Sequence, residues 1–187
     1  INNAGIAPTF TDERFEAGMA NQLLRMEGRV ADMQPSNYLT TMTDDEWDRM
    51  IRVHLYGAFY GTRAALRHMQ PARRGVIVNI SSVLGVQPSA GAAHYAAAKA
   101  AMIALTKSTA QEVAHLGIRV NAVCPGFIDT PLLAPYNEMM RAGITMRIPA
   151  GRMGAAEEIA ELVRFLSGPE SSYCTGDVFS ATGGFVS

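Results

Sequence analysis

Tyr95 and Lys99 lie four residues apart in the run His94-Tyr95-Ala96-Ala97-Ala98-Lys99, and Ser82 lies 13 positions before the tyrosine. Residues four apart share a helix face, so a lysine ammonium there would favour ionisation of the phenol. A phenol so tuned is a proton donor and acceptor, and a nearby serine hydroxyl can stabilise charge on a substrate oxygen. Of the 16 basic residues only Lys99 and Lys107 are lysine, which makes the pairing with Tyr95 hard to treat as incidental.

The elements that must position this trio are legible nearby. Gly75 to Ile80 is a β-branched run of the kind buried on both faces in a parallel sheet, and Ile118 to Val123 is a second. Between them an Ala-rich helix from Tyr95 to Leu116 ends at Gly117, which makes a βαβ unit with a parallel sheet. Upstream, Thr43-Asp44-Asp45-Glu46 is a capping box, followed by Trp47, Met50, Ile51 and Leu55 at helical spacing; this helix is expected from Asp44 to Met69. A further helix is expected over Ala155–Leu166, then a short strand over Val178–Thr182.

In such α/β sheets ligands bind beyond the carboxyl ends of the strands. Ser82 falls at that end of the first strand, Tyr95 opens the next helix, and Pro125-Gly126 reaches the same rim, where a glycine would allow the backbone to approach a ligand closely. Ser81, pointing the other way in a strand of period two, is expected to be structural. Asn2 is expected to bond backbone at a strand end, and Cys124 to be a core residue.

Composition narrows the function classes. The 187 residues carry 48% hydrophobic and only 18% charged side chains, with a formal charge of −1. That balance gives no electrostatic footprint for nucleic acid or an anionic membrane. Two cysteines make no disulfide framework, no metal-ligand spacing occurs, and no segment has the length and apolarity of a membrane span; a cytoplasmic setting is expected, with no metal.

Asn2-Asn3-Ala4-Gly5, Asn79-Ile80-Ser81-Ser82, Tyr95 to Lys99, and Pro125 to Thr130 together resemble the short-chain dehydrogenase/reductase family. The resemblance implies a Rossmann-like, doubly wound α/β fold and hydride transfer between NAD or NADP and a secondary alcohol or ketone. It implies Tyr95 as general acid/base, Lys99 lowering the Tyr95 pKa and holding the nicotinamide ribose, and Ser82 on the substrate oxygen. Asn3, Ala4 and Gly5 would lie along the adenosine side. Pro125 and Gly126 would border the nicotinamide, with Ile128 and Thr130 holding its carboxamide and a phosphate. His54 stands where the family usually has an asparagine supporting a proton relay, and an imidazole can serve such a relay.

The family's glycine-rich fingerprint and its cofactor-selecting residue do not occur within these residues. The chain is therefore expected to be a single partial domain, residues 1–187, opening at the end of the family's fourth strand and holding a dinucleotide poorly on its own. The stretch from Gly5 to His54 is about twice the family's usual length, and the surplus in residues 8–37 carries Phe15, Met19, Leu23, Met26, Val30 and Met33 at helical spacing. One or two inserted helices are expected there, as a lid or wall of the substrate site or as a surface appendage or subunit contact. Leu132, Leu133, Met139, Met140 and Met146 suggest a hydrophobic substrate. The resemblance also implies a homo-dimer or homo-tetramer. The alternative is a non-catalytic remnant of the fold serving in subunit association or binding.

Overall fold

A computed structural model describes residues 1–8 and 12–185. Three parallel strands, β1 (Gly75–Ile80), β2 (Ile118–Pro125) and β3 (Val178–Ala181), form a sheet in the order β1-β2-β3. Asn2 adds the start of a fourth parallel strand on the outer side of β1: its N–H donates to the Val78 carbonyl at 2.9 Å, and Ile80 N–H donates to the Asn2 carbonyl at 3.0 Å. The register pairs Gly75 with Ile118 and Ile80 with Val123, so β1 and β2 end together. The expected α/β doubly wound class is therefore present.

Alternation along the strands feeds two apolar layers. Ile77, Ile118 and Val120 point to one face and pack with Ala110 and Val113 of α4 (Ala93–Val113) and with Ala65, Leu66 and Met69 of α3 (Gly57–Ala72). Val78 and Val123 point to the other, against Ile159, Leu162, Val163 and Leu166 of α6 (Ala156–Ser167). Both layers exclude water completely at their centres, with Val113, Ile118, Val120, Val123 and Leu166 all at 0% exposure, worth roughly 1.5–3 kcal/mol for each large side chain. Helices on both faces make the sheet a buried one.

The helix expected over Asp44–Met69 is one continuous rod with a wide turn inside it. Helix α2 (Asp44–Ile51) starts at the capping box, with Glu46 N–H donating to Thr43 Oγ1 at 3.2 Å and Thr43 N–H donating to Glu46 Oε2 at 2.8 Å. A π-helical turn over Arg52–Tyr56 follows, then α3 runs on to Ala72. Trp47, expected inward, is 39% exposed; Met50 takes the core position.

Helix α4 continues through a 3-10 turn over Ala114–Leu116 and ends at Gly117, whose φ of 71° is the left-handed conformation that glycine tolerates. The expected insertion begins across residues 9–11, which lie outside the described residues, as does the side chain of Phe15. The rest forms α1 (Asp12–Met26) and a 3-10 turn over Val30–Asp32. Asn21 ties the return of this segment, donating to the Gln34 carbonyl at 2.7 Å and accepting from Gln34 N–H at 2.9 Å. The apolar ladder there does not form a core: Leu23, Met26 and Val30 stand 57%, 79% and 59% exposed.

Candidate active site

The carboxyl end of β1 delivers Ser81 and Ser82, and alternation sends them to different tasks. Ser81 Oγ donates to the Lys99 carbonyl at 2.8 Å, while Lys99 Nζ donates to the Ile80 carbonyl at 2.7 Å. The strand end thus grips both the backbone and the side chain of Lys99. Gly85 lets the following turn press against α4, since a Cβ there would stand 2.8 Å from the Lys99 carbonyl carbon. Ser82, extended at φ −165°, accepts from Leu84 N–H at 3.1 Å and hydrogen-bonds the Tyr95 side chain.

Tyr95 is 9% exposed, packed by Met50, Ala92 and Ala98 with Ile6, Ile51 and Leu84 around them. Burial pushes its phenol above the usual tyrosine value, and the hydrogen bond from Ser82 opposes that shift. The net direction differs from the expected one, since burial leaves the phenol raised where Lys99 was expected to lower it. The ammonium lies 5.6 Å from the ring centroid, over the ring, and is engaged by the Ile80 carbonyl. Burial brings Lys99 itself down to about 8.

His54 sits in the π-helical turn, 2% exposed, edge-on to Tyr95. Its Nε2 meets the backbone of Ile6 twice, 2.9 Å from the carbonyl oxygen and 3.2 Å from the N–H, in a geometry served by either tautomer. Gly5 must be small because a Cβ would come 2.9 Å from His54 Cε1. The imidazole therefore secures the loop that carries Asn3, Ala4 and Gly5, all three exposed at the rim. Burial first, then the charge of Lys99, hold the His54 pKa down at about 4. Its Nδ1 is buried without a hydrogen-bond partner, a cost of about 1–3 kcal/mol.

Asn2 acts as expected, in backbone pairing, and its side chain adds a bond to Asn79 Oδ1 at 2.7 Å. Asn79 in turn donates to Thr106 Oγ1 at 2.8 Å, which ties β1 to α4 beneath the site. Cys124 is fully buried at the end of β2.

The loop after β2 carries the remaining expected residues. Pro125 closes β2 opposite Ala181. At Gly126 a Cβ would stand 2.8 Å from Thr182 Cα, so the chain leaving β3 approaches closely there, and the Gly126 N–H donates to the Ala181 carbonyl at 2.9 Å. Ile128 bridges Gly154, with Gly154 N–H donating to the Phe127 carbonyl at 3.0 Å and Asp129 N–H donating to the Gly154 carbonyl at 2.9 Å. That pattern turns the N–H and C=O of Ile128 the other way. The Thr130 side chain makes no capping bond to the short helical turn that follows it, Pro131–Leu133. A backbone amide pair and an uncommitted hydroxyl at a sheet rim suit a nicotinamide carboxamide and a phosphate oxygen.

One residue was not singled out in the sequence. Tyr136, half-buried before α5 (Glu138–Thr145), has its pKa pushed up to about 12, first by burial and then by Tyr95. The segment expected as a Met-rich wall is mixed, with Met140 buried and Met139 and Met146 at 65% and 88% exposure.

Helices on both faces of a parallel sheet, with Ser82 and Tyr95 beside the strand ends, make an α/β architecture of the Rossmann class. A family model described as enoyl-(acyl carrier protein) reductase matches residues 28–186. The 3-oxoacyl-(acyl-carrier-protein) reductase of Salmonella typhimurium is 42% identical over 181 residues, covering 97% of this chain and 72% of that protein. The Thermotoga maritima protein of the same name is 45% identical over 148 residues, 79% of this chain and 60% of its own length. A 3-oxoacyl-(acyl-carrier protein) reductase from Brucella melitensis, solved with bound NAD, superposes with a TM-score of 0.79 at 34% identity, covering all of this chain and 61% of its own. A second from that organism gives 0.76 at 40% identity, covering 80% of this chain and 56% of its own.

The chain belongs to the short-chain dehydrogenase/reductase family, whose enzymes are oxidoreductases that use NAD or NADP. It spans between about half and three quarters of the length of these relatives. Among the described residues no helix is long and apolar enough to cross a membrane.

Proposed function

We propose that this chain carries the catalytic half of an NAD(P)-dependent reductase that converts a ketone, of the 3-oxoacyl thioester type, into a secondary alcohol. The observation that carries the reading is the setting of Tyr95: nine-tenths buried beside the end of β1, with the Ser82 side chain against its phenol and the Lys99 ammonium 5.6 Å from its ring. The substrate class rests on the names of relatives that are 40–45% identical.

Nicotinamide, when bound, supplies hydride to the carbonyl carbon. Tyr95 gives its phenolic proton to the carbonyl oxygen, and the Ser82 hydroxyl donates to that oxygen as negative charge gathers there. The resulting phenolate is stabilised by Ser82 and by the positive charge of Lys99. His54, through Ile6, fixes the rim that Asn3, Ala4 and Gly5 offer to the dinucleotide, and Ile128 and Thr130 hold its nicotinamide end. The remnant reading is not favoured, because Ser82, Tyr95 and Lys99 stand together with their supporting contacts intact.

Subunit association is the second part of the proposal. Trp47, Tyr56, Phe59 and Tyr60 leave an aromatic surface along α2–α3, 39–52% exposed, and α4 shows a row of alanines beside it. A homo-oligomer would bury that surface.

The test is NADH- or NADPH-dependent reduction of an acetoacetyl thioester. Tyr95→Phe is expected to lower kcat by about 10²–10⁴, and Ser82→Ala by about 10²–10³. Full activity in Tyr95→Phe would overturn the proposal.

A further inference from the structure

Arg29, Arg52, Arg152 and Arg164 each pair with a carboxylate no more than six residues away along the chain, so each ties a turn or a helix surface to itself. Arg141 does not. Its Nη2 donates to Asp129 Oδ1 at 2.5 Å across 12 residues, and its side chain is 32% exposed against 58–74% for those four.

Asp129 stands between Ile128 and Thr130 in the loop after β2, and Arg141 lies on α5. The pair therefore crosses from the nicotinamide side of the site to the segment that follows it. Arg141 Nη1 also donates to the Leu133 carbonyl at 3.4 Å, which gathers the short turn Pro131–Leu133 into the same contact. Within the closed segment Leu133 and Met140 are 8% and 2% exposed, and Tyr136 lies close enough to Tyr95 to feel its charge.

Both sides of this contact are anchored elsewhere. The loop backbone is bonded to Gly154 through Phe127 and Asp129. The far end of the segment reaches the same loop through rings, with Arg147 Cζ 5.1 Å from the Phe185 ring centroid and Phe185 edge-on to Phe127 at 5.3 Å. The segment thus has fixed ends and an ionic clasp in its middle. With the Asp129 carboxylate 64% exposed, such a pair is weak and reversible, which suits a closure that must open for substrate to enter and product to leave.

We propose that Arg141 is a positioning residue: through Asp129 it holds the segment from Pro131 to Met146 closed on the substrate side of the site before substrate arrives. The inference rests on the reading of Tyr95 and of the Ile128–Thr130 loop given above.

The test uses the full chain with Asp129→Asn, Arg141→Gln and the two combined, each substitution removing one charge. Without substrate, amide hydrogen exchange over residues 138–146 is expected to quicken about two- to fivefold in each single variant, the range for one exposed ion pair, and no further in the double variant. In reduction of the acetoacetyl thioester each variant is expected to raise KM by a similar factor with kcat unchanged, because saturating substrate restores the closed population. Exchange as slow as in the parent, effects that multiply in the double variant, or a KM that stays at the parent value would overturn the clasp. Failure of the reading of Tyr95 is separate: it appears as unimpaired turnover in Tyr95→Phe, and it leaves the exchange result untouched.

Discussion

The His54 imidazole stands edge-on to the Tyr95 ring, with centroids 5.1 Å apart and planes at 84°, while its Nε2 engages the Ile6 backbone. One side chain thus connects the loop of Asn3 to Gly5 with Tyr95. Edge-to-face aromatic contacts of this kind contribute about 0.5–1.5 kcal/mol beyond burial.

Acid should expose this arrangement. The His54 pKa is about 4 in the folded protein against 6.5 when unperturbed. Between those values the unfolded chain binds a proton that the native protein refuses, so stability falls as pH falls from 6.5 towards 4. The loss approaches about 3 kcal/mol below pH 4. Urea unfolding across this range should show the slope in the parent and a flatter profile in His54→Asn; equal slopes would contradict the buried neutral imidazole. A separate relay role for His54 predicts slower hydride transfer and a changed pH profile in His54→Leu, with His54→Asn still active.

Lys99 sets the alkaline side. Its pKa is brought down to about 8 by burial, so its charge is lost as pH rises through that value. The kcat/KM profile of reduction should decline with a midpoint near pH 8, and Lys99→Gln should be slow with that limb absent. A rate that holds level to pH 10 would show that the charge is not needed.

Tyr136 is expected to act on substrate rather than on folding. Tyr136→Phe should raise KM for the acetoacetyl thioester about tenfold, the loss of one hydrogen bond. A lower Tm with KM unaltered would make it a packing residue.

Gly126→Ala tests how far the close approach to Thr182 requires that glycine. The added methyl would meet Thr182 Cα at 2.8 Å, backbone that has little room to yield. A destabilisation of about 1–3 kcal/mol is expected in urea titrations. Unchanged stability, with loss of dinucleotide affinity alone, would favour the ligand-approach explanation.

Much of this was legible from residue types alone. The β-branched run gave the bounds of β1, the Thr43–Glu46 box marked the start of α2, and Gly117 marked the stop beyond α4, because each rests on local stereochemistry. The trio of Ser82, Tyr95 and Lys99 was legible because strand ends and a four-residue spacing fix it. What stayed hidden depends on surroundings. Whether Lys99 faces the Tyr95 hydroxyl or the Ile80 carbonyl is decided by where β1 ends, and no periodicity reports that. The apolar ladder of α1 marks a helix, but periodicity cannot say whether a partner surface exists. Tyr136 is a lone aromatic in a loop; only the fold brings it towards Tyr95.

The π-helical turn has a consequence for the whole rod from Asp44 to Ala72. Its fully buried positions are Met50, His54, Ala58 and Thr62, at 2–4% exposure, a strict repeat of four. An ordinary α-helix, at 3.6 residues per turn, would carry such a repeat about 40° around its axis at each step, roughly 120° over three steps. The wider turn over Arg52–Tyr56 winds more slowly and takes up part of that drift. Met50 beneath Tyr95 and Thr62 beside Asn2 can therefore face the same interior along one helix. Deleting a single residue from the turn would rotate every later side chain away from the sheet by about 100°.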